Sequence, residues 1–325
     1  MIYLKNSGEL DINFIKLMGV NVKESSDCIG YFGTGMKYAV AIFLREGINF
    51  SLFIGKVEYT FETETKTLRN KDFDVVVMRG PYDSVELAIT TELGKHWEPW
   101  QAYREIESNC RDEGGEVSNS YLAPEEGYTT FVIEDIEGAK EVFLSNTNKK
   151  RIHSDKFVDI YEGQSDCIYY RGIKAKDISG RPSLYTYNIK QECTLTEDRL
   201  ISYDFHVERA IAKSVTGCNN KDMIKEIITA NSSFFEHSVD FEWDNNEEPS
   251  ETFMETYEES SKDCNYTVRN FVTSKIPKPP ETKKEKAERF ERELSDFCDT
   301  FELNYDIDKD GYITIIATDI LNTEE

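Results

Sequence analysis

Positive charge is scarce in this 325-residue chain. Its 38 Lys and Arg stand against 62 Asp and Glu, a formal net charge of −24. A field of that sign repels duplex DNA and anionic bilayers, so neither a broad nucleic-acid-binding face nor a membrane partner is expected. Histidine is rarer still: His96, His153, His206 and His237 fall at no metal-ligand spacing, and a surface or hydrogen-bonded core role is expected of each. Cysteine is present without a pattern. Cys28, Cys110, Cys167, Cys193, Cys218, Cys264 and Cys298 make an odd count with no CxxC pair. That argues against a disulfide scaffold and a zinc site, and for reduced thiols in a cytoplasmic protein. No apolar run approaches the ~18 residues a membrane span needs. The first thirty residues lack a basic start followed by an apolar core, so no secretory signal is expected.

What is present is enough to fold. Apolar residues make up 39% of the chain, with 18 Tyr and 19 Phe, so a sizeable core is expected rather than disorder. "MIYLKNSGELD" reads as a strand and a glycine turn, and "LDINFIKLMG" has helical spacing. "GMKYAVAIFLREG" reads as a buried helix ended by Gly47. "INFSLFIG", "VEYTFETE", "FDVVVMRG" and "SVELAITTEL" form an expected antiparallel meander. A helix follows over "EPWQAYREIESNCRDEG", with Trp97 and Trp100 anchoring its start, then a strand over "GYTTFVIED". Further on, "DCIYYRGIKA", "PSLYTYNI" and "LISYDFHV" read as strands, "VERAIAKSV" and "KDMIKEIITANSSFFEHS" as helices. "FEWDNNEEPSETFMETYEESSKD" is an acidic loop or helix surface. "SKIPKPPETKKEK", with three prolines and five lysines, reads as a linker before a last helix and hairpin. The expected class is α/β, an α+β sandwich in three parts: 1–145, 146–275 and 276–325.

Two stretches carry chemistry. In "IGYFGTGMKYA", Gly30, Gly33 and Gly35 precede a helix directly, with Lys37 in its first turn. Glycines let a backbone approach a phosphate, and a helix start offers N–H groups and a positive dipole end to an anion. No Gly-Lys-Ser/Thr ends the loop, so it is not a Walker loop, and no strand precedes it as in a dinucleotide fingerprint. In "YREIESNCRDEGG", Glu105, Asn109 and Asp112 fall at i, i+4 and i+7, one face of a helix. A carboxylate there can deprotonate a water, and an Asn oxygen is a hard ligand suited to Mg²⁺.

Together the two stretches resemble the GHKL, or Bergerat-fold, ATPases: gyrase B, MutL, MORC proteins, the ninety-kilodalton heat-shock chaperones and histidine kinases. "IGYFGTGMKYA" is similar to the family's glycine lid, and "REIESNCRDEG" to its N box. "IYLKNSGELDINFIKLMGVNVK" resembles the adenine-contacting strand and turn with the helix after it, and "VELAITTEL" the late strand carrying a threonine. The likeness covers about residues 1–138, in a changed order: the lid precedes the N box, which we read as a circular permutation of a mixed Bergerat-type sheet covered by helices. Permutation is tolerated where old termini lie close together.

The resemblance implies ATP and Mg²⁺ as ligands of a slow hydrolytic switch that closes a lid over its nucleotide. Glu105 would polarise the attacking water and Asn109 would bind the metal. Asp112 would shape the pocket, and Asn6 and Gly8 would contact adenine. Gly30, Gly33 and Gly35, with Phe32, Thr34, Met36 and Lys37 in the same stretch, would wrap the phosphates. Lys23 matches a loop lysine, and Thr90 or Thr91 would bond near the base, with Thr91 taken for the site. Asn6 stands where the family has Asp, and Asp135 in "VIEDIEG" is an alternative source of that carboxylate. Asn keeps an acceptor but loses the charge-assisted part of the bond, which implies weaker adenine binding or a different base. A lysine from the second lobe, Lys174, Lys176 or Lys190, would reach the γ-phosphate, and a homodimer or a protein partner would be the switch's target.

A non-catalytic acidic interaction protein with a degenerate nucleotide site is the alternative; a protein kinase reading lacks a phosphoacceptor-His helix. "DIDKDGYI" places Asp306, Asp308, Asp310 and Gly311 as in a calcium loop, but its twelfth position is Ala317 and a hairpin is the simpler reading.

Overall fold

Apolar spacing and a few glycines set most element borders in the computed structural model, which describes residues 1–16, 35–82, 84–196, 198–276, 283–300, 303–307 and 313–317. Strand β1 (Ile2–Ser7) alternates, with Ile2, Leu4 and Asn6 on its covered face. It turns at Gly8, whose φ of +93° favours glycine. A short helix, α1 (Ile12–Lys16), follows. Helix α2 (Gly35–Glu46) buries Ala39, Val40, Ile42 and Phe43. β2 (Phe50–Ile54), β3 (Val57–Leu68), β4 (Lys71–Arg79) and β5 (Ser84–Thr90) form the expected meander. Helix α3 (Pro99–Asp112) starts on a reciprocal capping box between Glu98 and Gln101, with Pro99 in its first turn. Trp97 stacks on Tyr38 of α2, ring centroids 4.7 Å apart, which ties the start of α3 to its neighbour.

With β6 (Glu116–Ser118) and β7 (Tyr128–Ile133), these strands make a seven-stranded sheet of order β5-β4-β3-β2-β7-β1-β6. Every neighbour is antiparallel, which corrects the expected mixed sheet. The meander's strands are joined by short turns, and α2 and α3 cover one face instead of crossing between parallel strands. Leu4, Leu52, Phe131 and Ile133 from the sheet meet Val40, Ile42 and Phe43 of α2 and Ala102, Tyr103 and Ile106 of α3 in one core. Burying each large apolar side chain contributes about 1.5–3 kcal/mol.

A second sheet contains β8 (Arg151–Ser154), β9 (Val158–Tyr161), β10 (Cys167–Tyr170), β11 (Ile173–Asp177) and β12 (Thr186–Ile189), ordered β11-β10-β12-β9-β8. This is the mixed sheet, because β10 and β12 run parallel. The single strand expected over "DCIYYRGIKA" is a hairpin: Arg171 and Gly172 both take positive φ, 51° and 85°, as its tight turn requires. The strand expected over "LISYDFHV" gives way at Asp204 to helix α4 (Asp204–Thr216). Val207, Ile211 and Val215 recur there every four residues on a buried stripe, and Asp204 suits a first turn. Asn220 caps α5 (Lys221–Ile228) and Ser250 caps α6 (Glu251–Ser260), so much of the acidic stretch is helix with Phe253 buried beneath it.

Helix α7 (Tyr266–Lys275) precedes α8 (Lys283–Thr300) and the antiparallel pair β13 (Leu303–Ile307) and β14 (Ile313–Ala317). Asp308, Asp310 and Gly311 lie outside the described residues; Asp306 and Ala317 sit on the two paired strands. The chain divides into compact units Met1–Val268 and Arg269–Glu325, so both large sheets share the first. No helix among the described residues is long and apolar enough to cross a membrane.

Candidate functional site

The start of α2 and the middle of α3 touch through one glycine. A Cβ built on Gly35 would lie 3.2 Å from the carboxyl carbon of Glu105 and closer still to its Oε2. Any larger residue would have to push that carboxylate away. Gly35 is thus the one described member of the glycine loop that meets α3 directly. Lys23, Gly30, Phe32, Gly33 and Thr34 lie outside the described residues. Met36 packs part-buried against the core. Lys37 is buried, and burial lowers its ammonium below the ordinary lysine range.

Glu105 is itself buried and lies between two arginines. Arg199 Nη2 is 2.9 Å from Oε2, and Arg104 Nη2 is 3.5 Å from Oε1. Oε1 accepts no hydrogen bond among the described residues. Arg104 is fully buried; it donates to the carbonyls of Lys174, at 3.3 Å, and Asp198, and its guanidinium sits over the Trp100 ring. Arg199 reaches in from a tight loop with φ of 56°, closed by the bridge between Leu195 and Ile201. The site carboxylate therefore bonds to a loop that sequence places almost a hundred residues away.

Further along α3, Asn109 and Asp112 are half-buried on the turns after Glu105. The helix ends at Glu113, whose carboxylate accepts a hydrogen bond from Asn6 Nδ2 at the end of β1. Asn6 Nδ2 also donates to the carbonyl of Ser7 at 3.2 Å. The chain leaving α3 passes so close that a Cβ on Gly115 would lie 2.7 Å from the Lys5 carbonyl oxygen and 2.8 Å from Asn6 Cβ. Gly8 N–H donates to the Gly127 carbonyl at 2.8 Å. Thr129 Oγ1 donates to the Gly8 carbonyl at 2.8 Å and accepts from Leu10 N–H at 2.9 Å. Gly35, Glu105, Asn109, Asp112, Asn6 and Gly8 thus follow one path, from the start of α2 along α3 to the turn after β1.

No protein-family model, curated protein or solved structure matches the chain.

Two expected members lie elsewhere. Thr91 follows β5, the sheet edge, five strand spacings from β1, or about 24 Å. There its N–H donates to Asp74 and its carbonyl accepts from Arg45. The threonine beside Asn6 is Thr129, its register partner on β7. Asp135 follows the opposite end of β7, past the Ile2–Ile133 pairing, where it meets the N-terminal ammonium at 3.2 Å. Among the second-lobe lysines, Lys174 pairs with Asp177 and lies over Trp100, Lys176 pairs with Asp204, and Lys190 with Asp159. Among the described residues it is Arg199, together with Arg104, that reaches Glu105.

Sequence reading missed Arg199, Arg104, Glu113 and Thr129. Thr129 had a signal, since "GYTTFVIED" reads as a strand and "IYLKNS" needs a partner. Arg199 had none, because an arginine in a polar turn is most often solvated.

Proposed function

We propose that this chain binds an adenine nucleotide between the start of α2 and the Glu105–Asn109–Asp112 face of α3, and hydrolyses it slowly as a conformational switch of GHKL type. The carrying observation is the contact of Gly35 with Glu105, two motifs seventy residues apart in sequence. A helix start offers unpaired N–H groups and a positive dipole end to phosphate oxygens. At the far end of the path, Asn6 holds Glu113 through its amide nitrogen, which leaves its oxygen as an acceptor for a base amino group.

The donor set suits a metal that arrives with the nucleotide. No group of three or more His, Cys, Asp or Glu among the described residues could hold an ion. Asn109 offers one hard oxygen, consistent with Mg²⁺ bound chiefly through phosphates. When bound, that ion would neutralise phosphate charge. Glu105 would hold the attacking water and accept its proton, after exchanging Arg199.

One observation favours a second reading. The Glu105 carboxylate is engaged by Arg199, as in a site that binds without turnover. A protein of this charge would then act through a basic partner in a salt-sensitive complex.

Melting temperature with Mg²⁺-ATP separates these readings. Ligand at a hundred times its dissociation constant adds about 2.7 kcal/mol to stability. Absence of a shift with millimolar ATP or ADP would sink nucleotide binding altogether. A shift without phosphate release decides for the second reading. Glu105→Gln that keeps the shift and loses release assigns Glu105 its role; release at the wild-type rate removes it.

A further inference from the structure

A chain of three side chains, His153, Asp155 and Cys218, joins β8 of the second sheet to the end of α4. His153, in β8, has Nδ1 3.5 Å from Cys218 Sγ and Nε2 3.5 Å from Asp155 Oδ2. Asp155 is fixed by its own turn: Oδ1 accepts from Phe157 N–H at 2.7 Å and from Val158 N–H at 2.9 Å, which leaves Oδ2 for the imidazole. Cys218 follows α4, and its sulfur accepts the backbone N–H of Asn220, the cap of α5, at 3.2 Å. A protonated imidazole and a backbone donor can therefore both stabilise charge on sulfur. Asp155 and Cys218 together raise His153 to about 9, so a proton on the ring is favoured at neutral pH.

Cys110 and Cys193 serve as buried reference thiols. Burial pushes the Cys110 thiol up to about 12 and Cys193 to about 11, the behaviour of inert core thiols. Access decides which electrophile fits. Cys218 is 1% exposed, and Ser250 Oγ clamps its carbonyl at 2.5 Å. An acyl or peptide substrate has no room there. Cys218 touches His153, whose side chain is 19% exposed, so the sulfur lies one contact from solvent and a reagent that reaches it has to be small. A metal is not the occupant, since no described cluster could hold one.

We propose that Cys218 is a peroxide-reacting thiol with His153 as its proton partner. In the reacting pair the proton sits on His153 Nδ1 and the charge on sulfur, and the sulfur attacks one peroxide oxygen. An S–O bond forms as the O–O bond breaks. The departing hydroxide takes the proton from His153 and leaves as water. Sulfur loses two electrons, the peroxide gains them, and Cys218 becomes a sulfenic acid. Asp155 is a positioning residue that fixes the ring and its tautomer.

This inference is independent of the nucleotide reading. The full chain is exposed to hydrogen peroxide with dimedone present, and adducts are mapped by peptide mass spectrometry. Cys218 is expected to label on the order of tenfold faster than Cys110 and Cys193 in the same sample. Equal labelling of the three overturns the proposal and needs no variant. His153→Gln and Asp155→Asn are each expected to slow labelling at Cys218 while Cys110 and Cys193 stay unchanged. Loosened packing would instead speed labelling at all three thiols, so faster or unchanged labelling at Cys218 in both variants overturns the assigned roles.

Discussion

Replacing Glu105 by Gln removes one charge from a buried cluster of three. Arg104 is fully buried, the Glu105 side chain is 3% exposed, and Arg199 is 15% exposed. Removing one partner of a buried pair typically costs about 3–5 kcal/mol, because the other charge stays buried without compensation. Two features place this case at the low end. Arg104 keeps the Lys174 and Asp198 carbonyls as acceptors, and Arg199 is close enough to solvent to turn outward. The expected loss is about 3 kcal/mol, or a fall of roughly 6–12 °C in melting temperature for a unit of this size. Arg199→Met leaves Glu105 with Arg104 and is expected to cost about 1–2 kcal/mol, between a lost charged hydrogen bond and a broken pair. The double variant is expected to lose at least about 1 kcal/mol less than the sum of the two, since both remove the same contact. Urea unfolding of the four proteins measures this directly. A Glu105→Gln loss below about 1 kcal/mol, or additivity within about 0.5 kcal/mol, would refute the buried cluster as a coupled unit.

Gly35→Ala, which usually gains about 1 kcal/mol inside a helix, is expected to lose about 1–3 kcal/mol here because its Cβ displaces Glu105; a raised urea midpoint would show that α2 does not meet that carboxylate. Asn6→Asp loses the donor to Glu113 and sets two carboxylates together, so it is expected to cost about 1–3 kcal/mol at pH 7 and less near pH 4; equal costs at the two pH values would remove Glu113 from contact. The His153–Asp155 pair gives a signed pH dependence. His153, raised from 6.5 to about 9, stabilises fully below 6.5 and less as pH rises through 9. Asp155, lowered from 3.8 to about 2, stabilises above 3.8 and loses its contribution as pH falls through 2. His153→Gln should therefore flatten the decline in unfolding free energy between about pH 6.5 and 9; an unchanged alkaline limb would refute the raised value.

Periodicity made the first sheet's elements legible. The β2–β5 meander, α2 and α3 follow from residues that alternate or recur because one face is covered. What periodicity does not report is the order of strands. That Thr129 rather than Thr91 neighbours Asn6 depends on β7 inserting between β2 and β1, a long-range pairing that leaves no local mark. Short elements failed for a related reason. "DCIYYRGIKA" reads as one strand until Arg171 and Gly172 turn the chain back, and four-residue strands carry too few positions for alternation to register.

The candidate site was legible in residue type and not in its partners. The spacing of Glu105, Asn109 and Asp112 puts the three on one helix face, and the fold places them on α3. Whether Glu105 is available as a base depends instead on Arg199, whose guanidinium arrives from a loop closed by Leu195 and Ile201. The guanidinium at 2.9 Å occupies the carboxylate, and a base must escape that contact. A ligand anion entering beside Gly35 would compete with Glu105 for the same guanidinium. Binding and release of Glu105 are then one exchange, and its cost is the coupling energy that the Glu105–Arg199 double-mutant cycle measures.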